Sequence, residues 1–96
     1  MLTDINHIVS KLETIKVLPK TIAKQLSLVK LYISLYKFNE KALPELQEHY
    51  RKLWEVLYRE FKSYPFYSDT PLQKLLREFF DPAYVEPWGY EATYGI

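Results

Sequence analysis

The residues best suited to chemistry lie together in the third of four predicted helices, where Glu45, Glu48 and His49 span little more than one turn. Glu45 and His49 are four residues apart, a spacing at which a carboxylate and an imidazole on one helix can share a metal ion. The other histidine, His7, belongs to a different predicted helix, and nothing in the sequence brings the two together. We therefore expect His49 to be a solvated residue beside surface acids.

Other signatures of catalysis are absent from the sequence. The chain contains no cysteine, which excludes disulfides, thiolate zinc sites and cysteine nucleophiles. It has no glycine-rich phosphate loop, no nucleophile elbow and no recognisable pair of catalytic carboxylates. We predict a protein that is not an enzyme and that carries no cofactor and no metal ion.

Four lysines lie in a row along one side of the second predicted helix. At about 100° per residue they fall, with two serines, within an arc of roughly 140°. No acid lies between Lys16 and Glu40, so ion pairs within the helix cannot neutralise this row. A phosphate backbone binds such cations, although the first half of the chain has no arginine, and the row can equally be the hydrated edge of a buried helix. The lysine row consists of Lys20, Lys24, Lys30 and Lys37.

Prolines divide the chain into helical segments. The residue before a proline is biased away from the helical conformation, whereas proline itself suits the first turn of a helix. Asn39 is a suitable end for the second segment, and Thr70 with Gln73 forms a capping box at the start of the fourth. The predicted helices run from Thr3 or Asp4 to about Leu18, from Pro19 to about Phe38, from Pro44 to about Lys62, and from Thr70 to Asp81-Pro82.

The third predicted helix is amphipathic. On its polar side, Glu48 precedes Lys52 and Glu55 precedes Arg59 at the spacing that favours surface ion pairs. Its apolar stripe should face the core, as should the leucines and phenylalanines of the fourth helix. The stripe consists of Leu43, Leu46, Tyr50, Leu53, Trp54, Leu57 and Phe61.

The second helix is apolar over more of its circumference than one neighbouring helix covers. One ridge runs through Ile22, Leu26, Val29, Ile33 and Tyr36, and a second ridge beside it contains Leu28, Leu31, Tyr32 and Leu35. The first and third helices can cover both ridges within one chain. If they do not, the remaining apolar surface predicts a contact with another subunit or a homo-oligomer.

Aromatic residues crowd the C-terminal segment, which contains two prolines and two glycines and has no helical period. Large aromatic side chains need cover, so they should contact either the chain's own helices or a partner. The predicted domain organisation is a helical bundle over residues 1–82 followed by an aromatic tail over residues 83–96. The predicted partner-binding residues are Phe66 and Tyr67 in the preceding loop and Tyr84, Trp88, Tyr90 and Tyr94 in the tail.

Composition and length set the fold class. The 96 residues suffice for one domain, and 48 % hydrophobic content argues against disorder. The charge is uneven, because residues 1–39 carry a net +4 and residues 63–96 a net −3. The start of the chain does not resemble a secretory signal, and no stretch is long enough to span a membrane, so we expect an intracellular and cytoplasmic protein. The predicted fold is all-α, an antiparallel bundle of three main helices with a short fourth.

These observations favour a non-catalytic role. The first hypothesis is a small subunit or adaptor that binds a protein partner or a larger complex through its aromatic tail and bundle surface. The alternative is a small helical nucleic-acid-binding protein, or a minor ribonucleoprotein subunit, that uses the lysine row.

Overall fold

The fold is all-α, as the sequence predicts. The computed structural model describes residues 2–63 and 70–80, and no strand occurs among them. The short connection between the second and third helices fits the predicted antiparallel packing. The helices are α1 (Leu2–Glu13), α2 (Lys20–Phe38), α3 (Leu43–Ser63) and α4 (Pro71–Phe80), with a 3₁₀ helix (Glu40–Ala42) between α2 and α3.

α2 ends with Asn39 as its C-cap, as predicted, but it begins one residue after Pro19, which is the N-cap and not part of the first turn. The carbonyl of Pro19 accepts the first helical hydrogen bond, from Ala23 N at 2.9 Å. At the other end the backbone of Asn39 is extended, and its N–H donates to the carbonyl of Leu35 at 2.9 Å. The Asn39 side chain then accepts a hydrogen bond from Lys41 N at 3.0 Å, which begins the 3₁₀ helix. Asn39 thus ends one helix and starts the next.

The bounds of α1 differ from the prediction at both ends. The helix begins at Leu2, ahead of the expected caps Thr3 and Asp4, and it ends at Glu13 rather than near Leu18. The Thr14 hydroxyl donates to the carbonyl of Lys11 at 2.7 Å, and Thr14 N donates to the same carbonyl at 3.2 Å. Ile15 N likewise donates to the carbonyl of Leu12 at 3.1 Å, so the last turn of α1 tightens to three-residue hydrogen bonds and the helix stops well before Pro19.

Half of the predicted capping box starts α4. Thr70 Oγ1 accepts a hydrogen bond from Gln73 N at 3.1 Å, as an N-cap threonine should. The return bond from the glutamine side chain is not made. Gln73 is only 2 % exposed, and its Oε1 has no hydrogen-bond partner in the part of the chain that the structure describes. The glutamine side chain is therefore buried among the helices and does not complete the capping box.

The core is built around an aromatic cluster between α3 and α4. The indole ring of Trp54 lies 5.3 Å, centroid to centroid, from each of the rings of Phe79 and Phe80, in edge-to-face arrangements that aromatic pairs favour. The ring of Phe80 also lies 5.4 Å, centroid to centroid, from the ring of Phe61. The apolar stripes predicted for α3 and α4 therefore do face the core.

One continuous core joins all four helices. The α1 side chains at Ile5, Ile8 and Leu12 are fully buried within it, as the spacing in the sequence predicts. Each such side chain contributes about 1.5–3 kcal/mol by leaving water. No helix of residues 2–63 or 70–80 combines the length and the apolar character needed for crossing a bilayer.

Candidate functional site

The inner side of α2 is packed as the sequence predicts. The first apolar ridge is buried against the other helices except at the half-buried Tyr36, with Val29 wholly inaccessible and Ile22 1 % exposed. α2 makes its most extensive contacts with α3. This side of the helix therefore belongs to the core and is closed to ligands.

The second ridge of α2 is only partly covered. Tyr32 and Leu28 are half-buried, but Leu31 is 51 % exposed and Leu35 is 42 % exposed. Phe38 is 92 % exposed. We call Leu31, Leu35 and Phe38 the outer stripe, because their spacing of four and three residues aligns them along one side of the helix. The other helices do not cover the ridge, and the surplus apolar surface faces solvent.

All four residues of the lysine row are exposed, and one of them is paired. Lys30 Nζ donates a hydrogen bond to Glu13 Oε2 on α1 at 2.6 Å. The sequence correctly excludes ion pairs within α2, but it gives no sign of this pair between helices. Among the residues that the structure describes, Lys20, Lys24 and Lys37 have no ion-pair partner. The row therefore retains most of its positive charge.

The outer stripe and the lysine row share one face. At about 100° per residue, Lys24 projects between Leu31 and Leu35, and Lys20 projects in the direction of Phe38. Two exposed serines, Ser27 and Ser34, separate the stripe from Lys30 and Lys37. The solvent face of α2 is consequently a mixture of apolar and cationic side chains, not a purely basic edge. We call these residues together the outer face of α2.

His49 is not the solvated residue that we expected. It is half-buried between α2 and α3, and its ring stacks on that of Tyr32 with 4.6 Å between centroids. Gln25 Nε2 lies 3.2 Å from His49 Nδ1 and donates to the carbonyl of His49 at 2.9 Å. His49 therefore helps to join two helices. Within residues 2–63 and 70–80, no group of three or more His, Asp or Glu residues is placed to hold a metal ion.

The surface acids of α3 form different ion pairs from those predicted. Arg51 Nη2 donates to Glu48 Oε2 at 2.9 Å, and Arg51 Nη1 donates to Glu55. The predicted pairs, Glu48 with Lys52 and Glu55 with Arg59, are replaced because a single arginine reaches both acids at spacings of three and four residues. The hydrogen bond from Arg51 lowers the pKa of Glu48 below its ordinary value, and its positive charge acts in the same direction.

A shallow apolar groove lies where the α1–α2 connection meets the start of α4. It has a volume of about 650 Å³, and its lining includes Ile15, Leu18, Pro19 and Leu72. Val17 stands at this groove with 84 % of its surface exposed. The lining brings few polar groups to one point, so the groove lacks the convergent polar groups of a typical small-molecule site.

The predicted aromatic contact residues lie outside the described residues. They are Phe66, Tyr67, Tyr84, Trp88, Tyr90 and Tyr94. Their role therefore stays a prediction. The outer stripe, in contrast, was only half anticipated, because the sequence singled out Leu31 and Leu35 as a ridge needing cover but left Phe38 aside. The available signal was its spacing of seven residues from Leu31 and three from Leu35, which places Phe38 on the same side of the helix.

Comparison with known proteins identified no relative of this chain. The chain matches no protein-family model, and no curated protein sequence or solved structure is significantly similar to it.

Proposed function

We propose that this protein is a non-catalytic protein-interaction module, acting as a small subunit or adaptor of a larger assembly. The observation that carries this proposal is the outer stripe of α2. Leu31, Leu35 and Phe38 form an aligned apolar surface that α1, α3 and α4 leave open. Isolated apolar residues on a surface need no explanation, but several in line on one helix are typical of an interface.

The free energy available from covering this stripe is large enough for binding. Burying a leucine or a phenylalanine side chain fully contributes about 1.5–3 kcal/mol, and Phe38 has nearly all of its surface still to bury. Aromatic anchors at the centre of an interface often supply most of its affinity. The predicted aromatic tail would extend the same interface or provide a second one, and its contribution is a separate prediction.

Nucleic-acid binding through the lysine row is the competing function. The exposure of its four lysines is compatible with it. However, contacts to phosphate come from cationic and polar groups, and Leu31 and Leu35, which project beside Lys24, supply neither. Lys30 is also engaged with Glu13. The mixed surface is therefore better matched to a protein than to a phosphate backbone.

Co-purification of the full chain from its source tests the proposal. A tagged chain is isolated with and without nuclease treatment, and the associated proteins are compared by mass spectrometry. We expect a defined set of proteins to remain bound after nuclease treatment. Release of every associated protein by nuclease, or recovery of nucleic acid alone, would contradict the proposal in favour of the lysine-row alternative.

A further inference from the structure

The outer face of α2 has the register of a helix-packing seam. Positions 24, 28, 31, 35 and 38 alternate at spacings of four and three residues, the repeat by which one helix lies along another. Three of these positions are the outer stripe, one is the half-buried Leu28, and one is Lys24. The seam is about 21 Å long, which corresponds to about four turns of a partner helix.

Small side chains border this seam on the side away from α3. Ser27 and Ser34 are exposed, and the Ser27 hydroxyl donates to the carbonyl of Ala23 at 3.0 Å. Its polar group is thus turned back onto its own helix. Small residues at such positions let another helix approach closely, so the seam is open on the side where a partner would have to enter.

The charges around the seam decide what kind of helix fits. α2 contains no acidic residue, and Lys24 and Lys37 have no ion-pair partner in the described part of the chain. A second copy of this chain, packed through the same face, would bring two lysine rows together and would be repelled. A helix with acids near its apolar stripe would instead meet one of these two lysines near each end of the seam.

We propose that the outer face of α2 binds an acidic amphipathic helix of a partner protein. The apolar residues of that helix, repeating at three and four positions, pack on Leu31, Leu35 and Phe38. An aspartate or glutamate at the end of that stripe pairs with Lys24, which lies at the first position of the seam, and acids flanking the stripe pair with Lys37. This inference rests on the proposed function and specifies the chemistry of the partner.

A displayed library of helical peptides tests the inference on the full chain. The peptides are designed as helices of fifteen residues. On each peptide, the positions of one helix face and the positions flanking that face are randomised among apolar, acidic, basic and neutral polar residues. We expect selection to enrich peptides that combine an apolar stripe with flanking acids. Enrichment of basic or uncharged helices, or the absence of any enriched helix, would overturn the inference. The nuclease-treated co-purification decides the proposed function independently of either result.

Three variants locate the binding of an enriched acidic peptide. Leu35→Ser with Phe38→Ser should weaken it by at least about ten-fold, since both side chains are exposed and outside the core. Lys24→Glu with Lys37→Glu should weaken it by a similar factor and favour the charge-reversed peptide. Val17→Ser removes an exposed apolar side chain from the α1–α2 connection, outside the outer face of α2, and should leave the affinity unchanged. Equal affinities for all variants would overturn the inference.

Sedimentation tests whether a second copy of the chain, and not a partner helix, occupies the outer face of α2. We expect the full chain to be monomeric at micromolar concentration, and the same for the Leu35→Ser/Phe38→Ser variant. A wild-type dimer that this double variant dissociates would overturn the inference, because it would show that another copy of the chain occupies the outer face.

Discussion

The side-chain amide of Gln25 on α2 donates a hydrogen bond to the carbonyl oxygen of His49 on α3, with 2.9 Å between Nε2 and the oxygen. This bond, together with the stacking of Tyr32 on the His49 ring, fixes the rotation of α2 about its own axis. Because Gln25 and Tyr32 must face α3, Leu31 and Phe38 are turned towards solvent. The packing of α2 on α3 thus creates the outer face.

Replacing Gln25 should loosen the contact between α2 and α3. We expect Gln25→Ala to lower the free energy of unfolding by about 1 kcal/mol, the typical contribution of one hydrogen bond in a partly buried site. Urea denaturation followed by circular dichroism measures the change. Ser27→Ala is the matched control, because its hydroxyl bonds only within α2 and is exposed, so the change should be within about 0.5 kcal/mol. Equal effects of the two substitutions would show that the bond between helices does not contribute.

Truncation of two phenylalanines to alanine should affect the free energy of unfolding very differently. Phe79 is 2 % exposed and packs against Trp54, so Phe79→Ala should lower the free energy of unfolding by about 3–5 kcal/mol through the cavity it leaves. Phe38 is 92 % exposed, so Phe38→Ala should leave the stability within about 0.5 kcal/mol. Chemical denaturation of both variants checks the pair. A strong loss of stability in Phe38→Ala would mean that Phe38 belongs to the fold and not to a binding surface.

The ionisation of Glu48 should depend on Arg51. The guanidinium of Arg51 lowers the pKa of Glu48 through a hydrogen bond and through its charge, and Lys52 contributes less. Since the folded-state pKa is lowered, the interaction stabilises the fold above the unfolded-state pKa and is lost as the pH falls through the folded-state pKa. In Arg51→Ala we expect the pKa of Glu48 to rise towards its ordinary value, measured by NMR titration of the side-chain carboxyl. Lys52→Ala should produce a smaller rise, and an equal or larger one would contradict the assignment.

The aromatic tail gives a prediction that is separate from the outer face. If its aromatic residues bind a partner, deletion of residues 83–96 should abolish partner capture and leave the helical circular-dichroism signal largely intact. The full chain is the control in both measurements. A deletion variant that simply unfolds would contradict this role, because it would show that the tail covers its own bundle.

Much of the fold follows from local sequence signals. Pro19 and Asn39 bound α2, Thr70 caps α4 as predicted, and the spacing of apolar residues identifies the buried sides of α1, α3 and α4. These features depend on neighbours in the sequence, where residue preference and helix geometry are sufficient. The early end of α1 at Glu13 was missed because no proline or glycine marks it, and Pro19 was the nearest break in the sequence.

The outer face could be predicted only in part, since it depends on how helices pack. The sequence shows that α2 has more apolar surface than one neighbour covers, but not which ridge stays open. The ion pair between Lys30 and Glu13, and the contact of Gln25 with His49, join residues far apart in the chain. No spacing rule indicates such pairs, so their effect on the charge and rotation of α2 required the structure.

The central claim is that α2 binds a protein through its outer stripe, and the most direct measurement is the affinity of the co-purified partner for matched variants. By calorimetry we expect Leu35→Ser with Phe38→Ser to weaken binding by at least about ten-fold, whereas Val17→Ser should bind as the wild type does. Equal affinities of the double variant and the wild type would contradict the claim.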